Sequence, residues 1–172
     1  MRFFLIGFMG SGKSYWGKRW SEALGLTWYD LDDELEKAEG KTIASIFQDE
    51  GELAFRRKER KFLRSFQQKD QFILSCGGGT PCFYDNLKQM NRMGVVIYLK
   101  STPEELAKRL SPELDKRPLL KGVAPAQLES VIAQKLAERN AYYQQAVYHL
   151  PTRFLSDENF ERIYKRHATL SS

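Results

Sequence analysis

The stretch GFMGSGKS, Gly7 to Ser14, constrains this chain more than any other. It fits G-x-x-x-x-G-K-[ST] throughout, a pattern that gains meaning when a strand precedes it and a helix follows. The apolar run RFFLI stands directly before it, and the amphipathic KSYWGKRWSEAL opens on its lysine. Glycines permit backbone turns closed to other residues, so successive N–H groups converge on phosphate oxygens. The helix N-terminus adds partial positive charge. In this setting Lys13 neutralises the β- and γ-phosphates, and the Ser14 hydroxyl ligates Mg²⁺. The motif predicts a nucleotide site but not a reaction, because switch GTPases, motor ATPases and small-molecule kinases share it.

The rest of the chain has the punctuation of an α/β protein. RFFLI, LTWYD, FILSC, VVIYL and VYHLP read as strands. Continuous Phe, Val and Ile runs suit strands covered on both faces, as in a parallel sheet. Helical patterns lie between them. Trp16, Trp20, Ala23 and Leu24 share a face of the first, and Gly25 stops it. TIASIFQ is a short helix capped by Thr42, and GELAFRRKERKFLRSF a longer one with the stripe Phe55, Phe62, Leu63 and Phe66. PEELAKRL and AQLESVIAQKLAERNAYYQQ follow. Strands alternating with helices predict right-handed crossovers in one α/β domain over residues 1–172. SPELDKRPLLKGVAP, at 111–125, breaks the periodicity and reads as a surface loop or, because loops this long in compact domains are often functional, as a mobile lid. The terminal RHATLSS is expected to fray.

Composition excludes several classes. No apolar run approaches the roughly 18 residues of a membrane span, and RFFLIGFMG is short for a signal peptide, so a cytoplasmic location is expected. Cys76 and Cys82 have no histidine nearby and read as reduced thiols rather than metal ligands. The net charge of +5 suits an anionic ligand, but its basic residues are mixed with acids and do not argue for nucleic acid.

TWYDLDDELE carries Asp30, Asp32 and Asp33, which could hold a metal, take a proton, bind a hydroxyl or cap a helix. If Trp28 to Asp32 is extended, Asp30 and Asp32 point the same way. They would then stand on the rim of strand C-termini that also carries the phosphate loop. Asp33 has capping-box spacing to Glu36 and reads as a helix cap. In CGGGTP, Gly77, Gly78 and Gly79 follow another strand and would bring backbone N–H groups to a ligand. In AFRRKE, Arg56 and Glu59 are neighbours on a helix face, so one could orient the other. A guanidinium so held suits a carboxylate or a phosphate. Arg57, Arg60, Lys61 and Arg64 read as a solvated face.

These motifs together, GFMGSGKS, the Asp-x-Asp of DLD, FRR, GGG and RPLL in that order, resemble the shikimate kinases across nearly the whole chain. The resemblance implies a three-layer α/β/α P-loop kinase fold with a central, mostly parallel five-stranded sheet. It implies transfer of the γ-phosphoryl of ATP to the 3-hydroxyl of shikimate, with Mg²⁺, in a monomer without nucleic-acid or membrane partners. Carried over residue by residue, it implies that Gly10, Ser11, Gly12, Lys13, Ser14 and Tyr15 hold the nucleotide, and that Arg109 and Arg153 border the adenine. Ser14 and, through water, Asp30 hold the metal. Asp32 binds the shikimate hydroxyls and accepts the proton. Arg56 and Arg139 bind the carboxylate, with Gly78 and Gly79 lining the pocket. Arg117 reaches the phosphates from the lid, and with Asp32 and Lys13 makes up the catalytic set. The helical segment at about 33–67 would serve shikimate. The rivals are a P-loop kinase for another hydroxy acid such as gluconate, and a nucleotide-dependent binding module without kinase activity.

Overall fold

The computed structural model describes residues 1–116, 120 and 122–169. Five strands form one sheet: β1 (Arg2–Ile6), β2 (Thr27–Asp30), β3 (Phe72–Ser75), β4 (Val95–Lys100) and β5 (Tyr148–Pro151). Their order is β2-β3-β1-β4-β5, and every neighbouring pair is parallel. The helices are α1 (Lys13–Leu24), α2 (Leu31–Glu39), α3 (Ile43–Ser65), α4 (Asn86–Met93), α5 (Pro103–Leu110), α6 (Leu128–Tyr143) and α7 (Asp157–Ala168).

Alternation along β1 explains the layering. Phe3 and Leu5 point to one face, where Trp20 of α1 and Phe160 and Ile163 of α7 cover them. Trp20 lies flat on Phe160, with ring centroids 4.6 Å apart, and Phe3 meets Phe160 edge-on. Phe4 and Ile6 point to the other face, under Leu63 of α3, Leu87 and Met90 of α4 and Tyr143 of α6. Helices on both faces make three layers, and burial on both sides is why the strands read as unbroken apolar runs.

Several local expectations need correction. β2 ends at Asp30, and α2 begins at Leu31, so Asp32 is not in the strand. Asp30 is the helix cap, its carboxylate accepting from the Asp32 N–H, and Asp33 stands inside the first turn. Asp30 wins because its backbone is still extended (φ −105°, ψ 126°), as an N-cap requires. Ala23 is exposed rather than on the buried face of α1. Of the RHATLSS stretch expected to fray, Arg166 to Ala168 belong to α7, and residues 170–172 lie outside the described residues. α4 and α7 escaped the sequence reading, because each offers the core only a few apolar side chains among amides and charged groups.

The expected helix boundaries at Thr42 and Gly25 hold. Thr42 caps α3 through the Ser45 N–H, and Gly25 ends α1 in the left-handed conformation. α3 runs through the two expected helices with a break at Gly51 (φ 80°, ψ 168°). In the expected lid, Ser111–Lys116 form 3₁₀ turns, and Leu120 is buried with Phe8, Leu106, Leu110 and Leu128. No helix among the described residues is long and apolar enough to cross a membrane.

Candidate active site

The sheet order brings the chemistry to one rim. Asp30 at the end of β2 pairs with Ser75 at the end of β3, and Ser75 pairs with Leu5 near the end of β1. Three strand ends therefore deliver TWYD, CGGG and the phosphate loop side by side.

The phosphate loop has its expected strand–turn–helix setting. Gly10 and Gly12 take positive φ (77° and 87°), with Gly12 as the N-cap of α1. Gly7 has φ 144°, and a Cβ there would lie 2.7 Å from the Leu99 carbonyl oxygen, so no larger residue fits. Lys13 is buried, and its Nζ donates to the Gly7 and Phe8 carbonyls at 2.9 Å each. Its own carbonyl accepts from the Ser75 hydroxyl, which in turn accepts from Trp28 Nε1. The first turn of α1 is thereby tied to β2 and β3. The Ser11 hydroxyl is buried in the loop without a hydrogen-bond partner.

Ser14 Oγ donates to Asp30 Oδ2 at 2.6 Å. A hydroxyl and a carboxylate are hard oxygen donors that fit Mg²⁺, a cation that keeps much of its shell as water and phosphate oxygen. Among the described residues no group of three or more His, Cys, Asp or Glu could enclose a metal. The donor set therefore fits an ion shared with phosphates and not a closed protein cage.

Behind this edge lies a second cluster, and the glycine run shapes it. A Cβ on Gly77 would sit 3.1 Å from Asp32 Oδ1, one on Gly78 would sit 3.2 Å from Arg139 Nη1, and one on Gly79 only 2.7 Å from Arg56 Nη2. Each glycine thus yields its space to a functional side chain, and Gly77 to the Thr80 hydroxyl at 3.0 Å as well. The run is expected to carry backbone N–H groups to a ligand, and the structure shows in addition that it lets side chains approach closely.

Arg56 is buried, with its guanidinium over the rings of Phe83 (4.1 Å) and Phe55 (4.9 Å). Its Nη1 donates to Glu59 Oε2 at 3.0 Å, and the other oxygen of Glu59 accepts from the Thr80 hydroxyl at 2.6 Å. Glu59 is wholly buried, which pushes its carboxyl above the usual range, while Arg56 and Thr80 oppose the rise. Arg139 lies over the Phe8 ring, and its Nη1 is buried without a hydrogen-bond partner. A buried donor without an acceptor is costly and marks where an anionic group would be bound.

Asp32 reaches this cluster from the first turn of α2. Its carboxyl is pushed up to about 6, chiefly by burial and then by the charges of Asp30 and Glu59, with Lys13 and Arg56 pulling the other way. A carboxylate at that pKa can take a proton near neutral pH.

The remaining expected residues are less close-knit. Arg109 Nη1 donates to the Gly10 carbonyl at 3.2 Å, which sets it over the phosphate loop. Arg153 stands 4.0 Å from Glu105 and beside the exposed Phe154 ring. Tyr15 is 63% exposed, its ring edge-on to Trp16. Arg117 lies outside the described residues. Thr80, Tyr143 and Ser75 were missed from the sequence. Only Tyr143 carried a signal, its position one helical turn beyond Arg139.

A family model described as shikimate kinase matches residues 9–167. A shikimate kinase from Parabacteroides distasonis is 43% identical over 145 residues, covering 84% of either chain. Among solved structures, a shikimate kinase from Bacteroides thetaiotaomicron superimposes with a TM-score of 0.81 at 36% identity, covering 88% of this chain and 86% of that one. One from Acinetobacter baumannii in complex with shikimate gives 0.84 at 29% identity, covering 99% and 94%. A deoxyadenosine kinase from M. mycoides, at 15% identity and a TM-score of 0.58, shares the fold alone. With the phosphate loop, the aspartate pair and the glycine-lined arginine cluster on one rim, the chain belongs to the shikimate kinase family.

Proposed function

We propose that this protein transfers the γ-phosphoryl group of ATP to the 3-hydroxyl of shikimate, giving shikimate 3-phosphate for aromatic amino-acid biosynthesis. The observation that carries this reading is the glycine run, which admits Asp32, Arg56 and Arg139 to one pocket beside the phosphate loop. Shikimate offers a carboxylate and ring hydroxyls, and the pocket offers two guanidinium groups and a carboxylate of raised pKa.

Phosphoryl transfer needs positioning and charge stabilisation more than covalent chemistry. Gly10, Ser11, Gly12, Lys13, Ser14 and Tyr15 hold the nucleotide, with Arg109 and Arg153 towards the adenine. Mg²⁺, held by Ser14 and through water by Asp30, would offset phosphate charge. Arg56 and Arg139 clamp the carboxylate, and Gly78 and Gly79 border the ring. Asp32 orients the attacking hydroxyl and receives its proton. Arg117 joins Lys13 in stabilising the transferring group. The segment at 111–125 closes over the nucleotide and excludes water, and the segment at about 33–67 carries the acceptor. The protein acts as a monomeric single domain in the cytoplasm, with no nucleic-acid or membrane partner.

A coupled ADP-release assay with shikimate, gluconate and a nucleoside tests this. Turnover should require shikimate and Mg²⁺. Preference for gluconate would point to another hydroxy-acid kinase, and slow turnover with every acceptor to a binding module.

A further inference from the structure

Tyr143 is the last residue of α6 and is wholly buried, its ring against Tyr98 of β4 at 4.9 Å. Its hydroxyl donates to the Gly78 carbonyl at 2.6 Å. Ring packing alone would be met by phenylalanine, so the hydroxyl needs its own account. Gly78 is a three-way junction in the site. Besides Arg139 Nη1 on one side, a Cβ there would meet the Gly7 carbonyl and the Met9 N–H of the phosphate loop, each at 3.4 Å. The same short stretch of backbone therefore lies between the nucleotide loop and the acceptor clamp. Arg139 stands one turn before Tyr143 on the same helix, so the two reach Gly78 from one rigid element.

We infer that the Tyr143 hydroxyl is a positioning group for the reaction, pinning Gly78 between the phosphate loop and Arg139 and so setting where the acceptor carboxylate docks. Nothing in this role requires Tyr143 to touch the substrate. Burial raises the phenol pKa above its ordinary range, with Arg139 opposing, so the hydroxyl stays a donor throughout the working pH range. Loss of the hydrogen bond frees the Gly78 carbonyl to rotate. The loop can then move toward Arg139, whose Nη1 lies 3.2 Å from where a Gly78 Cβ would sit.

The inference rests on the shikimate reading. Its test is the steady-state kinetics of Tyr143→Phe, alone and combined with Arg139→Lys, with shikimate and ATP varied in turn. The ring and its packing are retained, so Tyr143→Phe should unfold within a few degrees of wild type. The shikimate KM should rise about tenfold, the loss of one well-placed hydrogen bond. The ATP KM and kcat should stay within about twofold, a split that a general loosening of the fold would not produce. In the Arg139→Lys background, the second change should cost less than about twofold in kcat/KM for shikimate, because the coupled partner is already displaced. Equal costs in both backgrounds overturn the inference. So does an unchanged kcat/KM for shikimate in Tyr143→Phe, or a parallel rise in both KM values. If the wild-type protein fails to phosphorylate shikimate, the functional reading falls and the inference with it. Wild-type turnover beside an unaffected variant removes the inference alone.

Discussion

Asp32 shows how position and environment act on one side chain. Leu31, its neighbour, is fully buried and anchors the first turn of α2, which turns Asp32 toward Gly77 and the cluster behind it. Burial and nearby acids raise its pKa from 3.8 to about 6, which suits a proton acceptor and weakens the fold. The sign follows from linkage. Below about pH 4 the carboxyl is protonated in both states. As pH rises toward 6 the unfolded chain ionises first, so stability is lost across that window and stays lost above it. Asp32→Asn should therefore be more stable than wild type at pH 7, by up to about 3 kcal/mol, with the gain shrinking at pH 4.5. Denaturant unfolding at the two pH values checks this. The same variant should lose roughly 100- to 10,000-fold in kcat while still binding ATP, as general-base removal does. Wild-type turnover by Asp32→Asn would take Asp32 out of the chemistry. For Arg56→Ala, the shikimate KM should rise by an amount equivalent to about 2–5 kcal/mol as a charged partner of the carboxylate is lost, and stability should fall because Glu59 keeps only its Thr80 partner. Isothermal titration with shikimate separates that loss from any change in turnover.

At the scale of elements, the turn after β3 does more than connect. Thr80–Cys82 form one 3₁₀ turn, with the Thr80 hydroxyl on Glu59 and the Thr80 carbonyl accepting from Asn86 at the start of α4. The turn thus couples α3, which carries Arg56, to α4. Gly79 adjoins it, and its hydrogen is all that fits against the Arg56 guanidinium. Gly79→Ala would push Arg56 from its seat over Phe83. The shikimate KM should rise roughly 10- to 100-fold with ATP binding intact, as displacements near 1 Å do at reacting centres. Steady-state kinetics with each substrate varied decides it, and an unchanged shikimate KM would show that Arg56 shifts without consequence. The RR of AFRRKE splits at this scale as well. Arg56 turns inward, while Arg57 is solvent-facing, as the period of an α-helix demands.

For the whole molecule, the site depends on a sheet clamped from two sides. Trp20 is the largest fully buried side chain on the α1–α7 face, stacked on Phe160 and close to Phe3 in β1. Trp20→Ala should destabilise the protein by about 3–5 kcal/mol, measured by urea unfolding. By contrast, the exposed pair Arg19–Asp157 on the same face should contribute little. Shikimate and ATP bind the folded chain alone on this reading, so each should raise the unfolding temperature in proportion to its affinity.

Motifs made of chain neighbours were legible before any coordinates. GFMGSGKS carries its mechanism in its own spacing, the apolar runs mark buried parallel strands, and Gly25 and Thr42 mark helix ends, because each rests on local geometry. Where a decision rested on distant contacts, local reading failed. Alternation along an imagined longer β2 set Asp32 beside Asp30, yet a helix starts between them and Asp30 is its cap. α4 and α7 were invisible because their few apolar residues gain meaning only against a sheet already assembled. Sequence by itself determined the phosphate loop, the fold class and the set of residue types available for chemistry. Tertiary structure alone decided that Gly77, Gly78 and Gly79 each give way to a different side chain, because close approach across the sheet rim depends on strand order and not on spacing.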